Sequence, residues 1–364
     1  MTVLDKTPEA VAMLRFQLLD WYSASRRDLP WRQSRDPYAI WVSEIMLQQT
    51  RVAVVIDRYR AFLERFPTLH ALAEASEQEV LALWSGLGYY RRARMLHKAA
   101  QFVAAHGGQL PKTAEELRTL PGIGAYTAAA IASIVHNQRV AVVDGNVERV
   151  VCRLEGWAGP RRSGGSAVRR KVESLAALLV DPARPGDFNQ AMMELGATVC
   201  LPRGPRCMIC PASPQCQTRG EHATEARPKM LSKEVGRALV LRKGERAGEA
   251  YREVLLEQRP ASETVMPEMW ELPELDEADV PEHEQFMTVR HAIMQVNYYV
   301  RIRTVTERRV AGLTVKRGER KWVSLGEAGA MALTGLTRKV LKRGRLLPDE
   351  PEQSVARGRK RKVV

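Results

Sequence analysis

The chain has 364 residues, 45% of them hydrophobic, with 25 glycines and 20 prolines, which excludes fibrous and largely disordered proteins and leaves room for two domains. Its formal net charge of +14 favours a polyanionic partner, most commonly nucleic acid, although a basic surface without a binding role would give the same charge. We find neither a signal pattern nor an apolar run near the roughly 20 residues that span a bilayer, so we expect a cytoplasmic protein without a membrane partner.

The first part of the chain, residues 1–216, is predicted to be all-α. "EAVAMLRFQLLDWYSAS" places apolar residues at intervals of three and four. Asp36 followed by Pro37 predicts a helix start, and Thr113 with Glu116 predicts a capping box at another. We find no strand pattern in this region.

A change of periodicity marks a second domain. Residues 217–234 are polar and aperiodic, which is typical of a linker. "RALVLRK", "AYREVLLEQR" and "NYYVRIRTV" show the alternation and β-branched content of strands, and "GLTRKVLKRG" is again helical. These patterns predict an α+β domain over 235–346, followed by a basic tail over 347–364 that we interpret as solvated rather than phosphate-binding.

The stretch "LPGIGAYTAAAI" predicts a tight turn between two helices. Gly122 and Gly124 can adopt positive φ and carry no Cβ, so consecutive backbone N–H groups can point at one ligand. The positive end of the next helix would add to an anion site suited to a phosphate. A turn of purely structural purpose is the alternative.

Four of the five cysteines are clustered, with the spacing C-x6-C-x2-C-x5-C. Thiols this close in a reducing compartment predict a metal site, and zinc and an iron–sulfur cluster are both chemically possible. The four are Cys200, Cys207, Cys210 and Cys216. The fifth, Cys152, lies on the apolar side of a predicted helix and is interpreted as a core residue.

Two carboxylates are candidates for acid–base chemistry. Glu44 lies in "IWVSEIMLQ" among apolar residues, and partial burial there would raise its pKa; an exposed helical glutamate is the alternative. Asp144 begins "DGNVERVV", where it would cap a helix and stay ionised. Two carboxyls with pKa values shifted apart are typical of an acid paired with a stabiliser or nucleophile.

Together these motifs resemble the helix-hairpin-helix DNA glycosylase superfamily. "LPGIGAYTAAAI", "VDGNVERV" and the four cysteines carry the likeness, and "LPWRQSRDPYAIWVSEIMLQQTRV" with "WSGLGYYRRARMLHKAA" is similar to MutY-type adenine DNA glycosylases. The resemblance covers nearly all of residues 20–216. It implies an all-α helix-hairpin-helix glycosylase domain whose cysteine loop, 200–216, holds a [4Fe–4S] cluster.

The resemblance also implies catalytic roles. Glu44 would protonate the adenine and then help to activate water, while Asp144 would stabilise the positively charged sugar or bond to it, assisted by Asn146. Tyr126 would lie beside the sugar, where bifunctional relatives carry a lysine that forms a Schiff base. The alternative for Tyr126 is core packing.

Further residues match the family's contacts to a duplex with an extruded nucleotide. The implied DNA-binding residues in this region are Arg32, Gln48, Gln49, Thr50, Leu87, Tyr89, Gly122 and Gly124. Judged alone, "QQT" would be a helix end and "GLGYY" an aromatic core pair. Arg32 matches a residue near the adenine pocket.

The family carries a C-terminal Nudix-like domain that recognises 8-oxoguanine, and "MPEMWELPEL" resembles part of it. The metal-binding Nudix signature G-x5-E-x7-R-E-x2-E-E is absent, so we expect no diphosphate hydrolysis. Where relatives often carry Phe-Ser-His, this chain has Ile293, Met294 and Gln295. Only Gln295 retains hydrogen-bonding capacity at a base edge.

The sequence therefore predicts a multidomain, monomeric and monofunctional adenine DNA glycosylase of base excision repair. Its partner would be double-stranded DNA containing adenine opposite 8-oxoguanine or guanine. Three alternatives are a thymine glycosylase of G·T mismatches, an endonuclease III-like lyase, and a DNA-damage-binding protein without activity.

Overall fold

A computed structural model describes residues 7–158, 166–222, 230–246, 249–275, 285–293, 295–308 and 319–347. The chain divides into two compact units, one formed by 1–80 with 90–228 and the other by 81–89 with 229–364. None of the described helices is long and apolar enough to cross a membrane.

The described residues of the first unit form helices joined by turns and loops, without a strand, as predicted. Helix α5 begins in this unit and ends in the segment 81–89, which belongs to the second unit. The helices are α1 (Pro8–Ser25), α2 (Pro37–Leu47), α3 (Val52–Arg65), α4 (Leu69–Glu74), α5 (Glu77–Leu83), α6 (Arg91–Ala105), α7 (Ala114–Leu117), α8 (Ala125–His136), α9 (Gly145–Leu154), α10 (Ser166–Leu179) and α11 (Pro185–Thr198).

Side-chain caps begin several helices where the sequence predicts them. The Asp36 carboxylate accepts the Tyr38 N–H at the start of α2, and Pro37 occupies the first turn. Thr113 and Glu116 form the predicted capping box of α7. These interactions are local, so the sequence alone is sufficient to place them.

Glycines bring α11 close to both α8 and α9. A Cβ on Gly186 would lie 2.6 Å from the Ser133 carbonyl oxygen, near the end of α8. A Cβ on Gly196 would lie 2.6 Å from the Asn146 Cβ, in the first turn of α9. Neither approach leaves room for a side chain. Helix α11 therefore lies against both helices, and its C-terminal part lies beside the beginning of α9, where the candidate site forms.

Between 230 and 347, the described residues of the second unit form two sheets and include two short helices. In one sheet, β1 (Leu231–Leu239) pairs antiparallel with β5 (Glu274–Leu275) and parallel with β7 (Val296–Thr304), which pairs antiparallel with β6 (Gln285–Ile293). The second sheet is antiparallel: its members are β2 (Leu241–Arg246), β3 (Glu249–Gln258), β4 (Trp270–Glu271) and β8 (Arg320–Ser324). Helices α12 (Leu325–Ala328) and α13 (Gly335–Arg343) follow.

The boundaries of this unit differ from the predicted ones. Strand β1 begins at Leu231, inside the predicted linker, because its backbone pairs with β7 from that residue onward. Leu347, which we assigned to the basic tail, packs in the core with Leu346 and Leu341. The rest of the tail, 348–364, lies outside the described residues.

Candidate active site

Glu44 lies on α2 and is almost completely buried, with 5% of its surface exposed. Burial is the main reason that its pKa rises from 4.5 to about 7, and the negative charge of Asp144 acts in the same direction. A hydrogen bond from Tyr126 and the positive charge of Arg32 oppose the rise. The carboxyl group can therefore hold or release a proton near neutral pH.

Tyr126, in the first turn of α8, holds this carboxyl group. Its hydroxyl donates to Glu44 Oε2 at 2.7 Å and lies 3.4 Å from Met193 Sδ on α11. Burial, followed by the neighbouring carboxylates, raises the pKa of Tyr126 well above its usual value. The phenol therefore stays protonated and acts as a hydrogen-bond donor.

Asp144 caps α9 and uses both of its carboxylate oxygens. Oδ1 accepts the backbone N–H groups of Asn146 at 2.9 Å and Val147 at 2.7 Å, while Oδ2 accepts the Asn146 side-chain amide at 2.9 Å. These donors and the positive end of the helix stabilise the negative charge. The sequence places both Asp144 and its cap correctly.

Arg149 supports this arrangement and was not identified from the sequence. Its guanidinium donates to Asn146 Oδ1 at 3.0 Å, to the Gly196 carbonyl at 2.7 Å and to the Cys200 carbonyl at 2.9 Å. Asn146, whose amide donates to Asp144, is thereby fixed to α11 and to the first of the four clustered cysteines. Because Arg149 lies one helical turn after Asn146, its contact with Asn146 could have been predicted from the sequence. Its contacts with Gly196 and Cys200 could not, since those residues are distant in sequence.

Glu194 is a second buried carboxylate that the sequence analysis missed. It is 1% exposed and forms ion pairs with Arg27 at 2.6 Å and with Arg32 at 2.8 Å. Burial alone would raise its pKa, but the hydrogen bonds from the two arginines outweigh that effect and lower it. The guanidinium of Arg32 also lies 5.4 Å from the centre of the Tyr22 ring. Glu194 lies among apolar residues in "QAMMELGA", the same pattern that predicts burial of Glu44, so its burial could have been predicted from the sequence.

The two glycines of the predicted turn differ in backbone conformation. Gly122 has φ +74°, and a Cβ there would lie 2.4 Å from the Met95 Cβ. Gly124, however, has φ −87° and ψ 177°, an extended conformation open to any residue, so of the two glycines Gly122 alone uses the positive φ that glycine permits. Gly124 instead begins α8, which has no side-chain cap, and open space lies where its Cβ would be.

The predicted "QQT" contacts lie at the end of α2. The Gln48 side chain donates to Thr127 Oγ1 at 3.1 Å, while Gln49 is exposed and has φ +55°. Arg92 binds this turn by donating to Thr50 Oγ1 at 3.1 Å and to the carbonyl oxygens of Ile45, Met46 and Gln48. Arg92 was another residue that the sequence analysis missed.

The two residues predicted from "GLGYY" differ in exposure. Tyr89 is 54% exposed and has φ +49°. Leu87 is only 4% exposed, so in this conformation it presents no side chain for insertion into a duplex. Its apolar side chain is buried like those of Trp84 and Leu81 in the same segment.

The four cysteines line one pocket together with Arg153, Arg206 and Arg219. Burial is the main reason that the pKa of the Cys210 thiol rises to about 11. Among the residues that the structure describes, no three His, Cys, Asp or Glu side chains are arranged to hold one metal ion. Cys152 is fully buried in the core, as predicted.

Gln295 lies in the turn between β6 and β7 of the second unit. Its side chain is exposed, and its carbonyl oxygen accepts the Leu231 N–H at 3.0 Å. Ile293 ends β6, and Met294 lies outside the described residues. The side chain of Gln295 is therefore accessible to a ligand.

Comparison with known proteins agrees with this geometry. Residues 42–177 match the HhH-GPD superfamily of base excision DNA repair proteins. The adenine DNA glycosylase of Mycolicibacterium smegmatis is 46% identical over 205 residues, which are 56% of this chain and 68% of that protein. The human adenine DNA glycosylase is 51% identical over 219 residues, which are 57% of this chain and 40% of that protein.

Solved structures give the same fold for the helical unit. A thermostable thymine-DNA glycosylase is 30% identical with a TM-score of 0.52, covering 59% of this chain and 99% of that one. Endonuclease III in a trapped covalent complex with DNA is 23% identical with a TM-score of 0.50, covering 59% and 97%. Identity is thus higher to the adenine enzymes than to either of these. The chain belongs to the HhH-GPD superfamily and, within it, to the MutY-type adenine DNA glycosylases.

Proposed function

We propose that the protein is a monofunctional DNA glycosylase that removes adenine mispaired with 8-oxoguanine or guanine and leaves an abasic site. The observation that carries the proposal is the 2.7 Å hydrogen bond between Tyr126 and the buried Glu44, whose pKa of about 7 suits a general acid. A damage-binding protein without activity would not need this arrangement.

The chemistry follows from the two carboxyl groups. Adenine is a poor leaving group until it is protonated, and Glu44 supplies that proton. Departure of the base leaves positive charge on the sugar, which Asp144 stabilises electrostatically or by forming a bond. The Asn146 amide and two backbone N–H groups hold Asp144 in place. Glu44, deprotonated by the first step, then accepts a proton from the attacking water.

Tyr126 determines that the strand stays uncut. A Schiff base with the sugar requires an amine nucleophile, and a phenol cannot form one. Tyr126 therefore stabilises Glu44 and the transition state, and the product is an intact strand with an abasic site. This feature separates the proposed activity from that of an endonuclease III-like lyase.

Double-stranded DNA is the proposed partner of a monomeric protein. The net charge of +14 supports attraction to the backbone, and the uncapped start of α8 after Gly124 supports binding of a phosphate. Exposed Gln49 of the first unit is a candidate to replace the extruded nucleotide. Exposed Tyr89 of the second unit is proposed separately as a DNA contact. In the second unit, exposed Gln295 is the candidate for contact with 8-oxoguanine.

The cofactor that we propose is a [4Fe–4S] cluster on Cys200, Cys207, Cys210 and Cys216. The four thiols line one pocket, four thiolates are a usual ligand set of such a cluster, and the spacing C-x6-C-x2-C-x5-C resembles that of the cluster loop in this superfamily. When bound, the cluster fixes the loop and leaves the reaction to the carboxyl groups.

The test uses labelled duplexes that contain A opposite 8-oxoguanine, A opposite guanine, or T opposite guanine. Free base is measured directly, and strand breaks are measured with and without alkali. We expect adenine release from the first two duplexes and breaks only after alkali. Breaks without alkali would contradict the monofunctional proposal, and release of thymine alone would favour a G·T glycosylase.

A further inference from the structure

Arg153, near the end of α9, is buried against the cysteine pocket with 2% of its surface exposed. Its Nη1 donates to Cys200 Sγ at 3.3 Å and to the Leu201 carbonyl at 2.7 Å, while Nη2 donates to the Pro202 carbonyl at 3.1 Å. The side chain therefore holds both the sulfur of the first cysteine and the backbone that follows it.

The backbone of the same residue holds the other end of the loop. The Arg153 carbonyl oxygen accepts the Thr218 N–H at 3.1 Å and lies 3.3 Å from Cys216 Sγ. The next carbonyl, that of Leu154, accepts the Gln217 N–H at 3.1 Å. The first and last cysteines, 16 positions apart in sequence, are thus fixed to a single turn of helix.

The charge of Arg153 requires a partner. A buried guanidinium is costly unless a negative charge compensates it. Within the described ranges, Arg153 forms no ion pair with a carboxylate, whereas Arg27 and Arg32 share Glu194. The negative groups next to Arg153 are the cysteine sulfurs themselves, which become thiolates when they bind iron.

We propose that Arg153 is the buried counter-charge of the iron–sulfur cluster, retaining the Cys200 thiolate and raising the reduction potential of the cluster. The inference rests on the proposed [4Fe–4S] cofactor. A positive charge and an N–H···S hydrogen bond both stabilise the added electron, so removing them lowers the potential. Loss of such a supporting partner typically weakens metal retention by roughly 10- to 100-fold.

Arg206 provides a matched control. It lines the same pocket and carries the same charge, but its side chain is exposed. Water screens an exposed charge far more than a buried one. Arg206→Gln should therefore leave the cluster close to its wild-type state.

The experiment compares the full chain with Arg153→Gln, Arg153→Lys and Arg206→Gln, all purified without oxygen. Iron and acid-labile sulfide per chain, the midpoint potential by voltammetry, and the rate of iron release to a chelator are measured. We expect Arg153→Gln to have a lower potential and release iron roughly tenfold faster or more. Arg153→Lys should have a potential between those of the wild type and Arg153→Gln, because it keeps the charge, and should release iron faster than the wild type, because an ammonium cannot reproduce the forked contacts.

The outcomes separate the two proposals. A wild-type chain that holds zinc or no metal would overturn both the cofactor and the role of Arg153. A wild-type chain with four irons, together with an Arg153→Gln variant of unchanged potential and release rate, would overturn the role of Arg153 alone. An Arg206→Gln variant with the same potential and rate of iron release as Arg153→Gln would also overturn the role of Arg153 alone. If Arg153→Gln does not fold, iron release from Arg153→Lys at the wild-type rate would overturn the proposal.

Discussion

Removing the Tyr126 hydroxyl should move the pH dependence of the reaction to higher pH. The hydroxyl donates to Glu44 at 2.7 Å and opposes the effect of burial on the pKa of this carboxyl. Hydrogen bonds to charged groups contribute about 1.5–3 kcal/mol, and about 1.4 kcal/mol corresponds to one pH unit. In Tyr126→Phe the pKa of Glu44 should therefore rise from about 7 by about 1 to 2 units.

The assay is single-turnover release of adenine from a duplex with A opposite 8-oxoguanine, measured from pH 5 to about 9. An acid acts only while protonated, so the wild-type rate should decline as the pH rises through about 7, the pKa of Glu44. Tyr38→Phe is the matched control, because the buried Tyr38 hydroxyl donates to the Phe66 carbonyl at 2.9 Å, away from Glu44. An unchanged or lower pH of decline in Tyr126→Phe would refute the reasoning.

Three further predictions concern stability and support of the site. The raised pKa of Glu44 favours the protonated carboxyl in the folded state, so the contribution of this group to stability is complete below about pH 4.5 and is lost as the pH rises through about 7. Because Glu44→Gln removes the charge that is buried at pH 8, it should increase the free energy of unfolding at that pH by about 3 kcal/mol, measured by urea denaturation. Gly122→Ala should destabilise the fold by about 2–4 kcal/mol, because alanine is strained at positive φ and its Cβ would collide with Met95. Gly124→Ala should leave thermal stability unchanged, because open space lies where its Cβ would be, but should weaken binding of an abasic-site duplex. Arg149→Gln should slow adenine release by about tenfold, because Asn146 loses its anchor, while duplex binding stays within about twofold; an unchanged rate would show that Asn146 needs no such support.

The sequence was sufficient where the interaction is local or the motif is distinctive. The caps at Asp36, Thr113 and Asp144 each involve residues two or three positions away, so their patterns are visible in the chain. Burial of Glu44 followed from its apolar neighbours on α2.

The sequence was insufficient where partners are distant. Glu194 pairs with arginines more than 160 positions away, and Arg149 reaches the Cys200 carbonyl 51 positions on. No periodicity encodes such pairs. The sequence shows that both glycines can adopt positive φ but not which of them does, since a glycine before a helix also serves as a cap in extended conformation, as Gly124 does. The burial of Leu87, which we expected to contact DNA, was not predicted either, since the exposure of a side chain depends on the packing of residues distant in sequence.

The central claim, that buried Glu44 protonates the departing adenine, is tested most directly by comparing Glu44→Gln with Glu155→Gln. Glu155 is also buried, so its variant controls for the loss of a buried carboxyl group. We expect single-turnover adenine release to slow by roughly 10²–10⁴-fold in Glu44→Gln and by only a few-fold in Glu155→Gln, with duplex binding retained by both. Adenine release by Glu44→Gln at the wild-type rate would contradict the account.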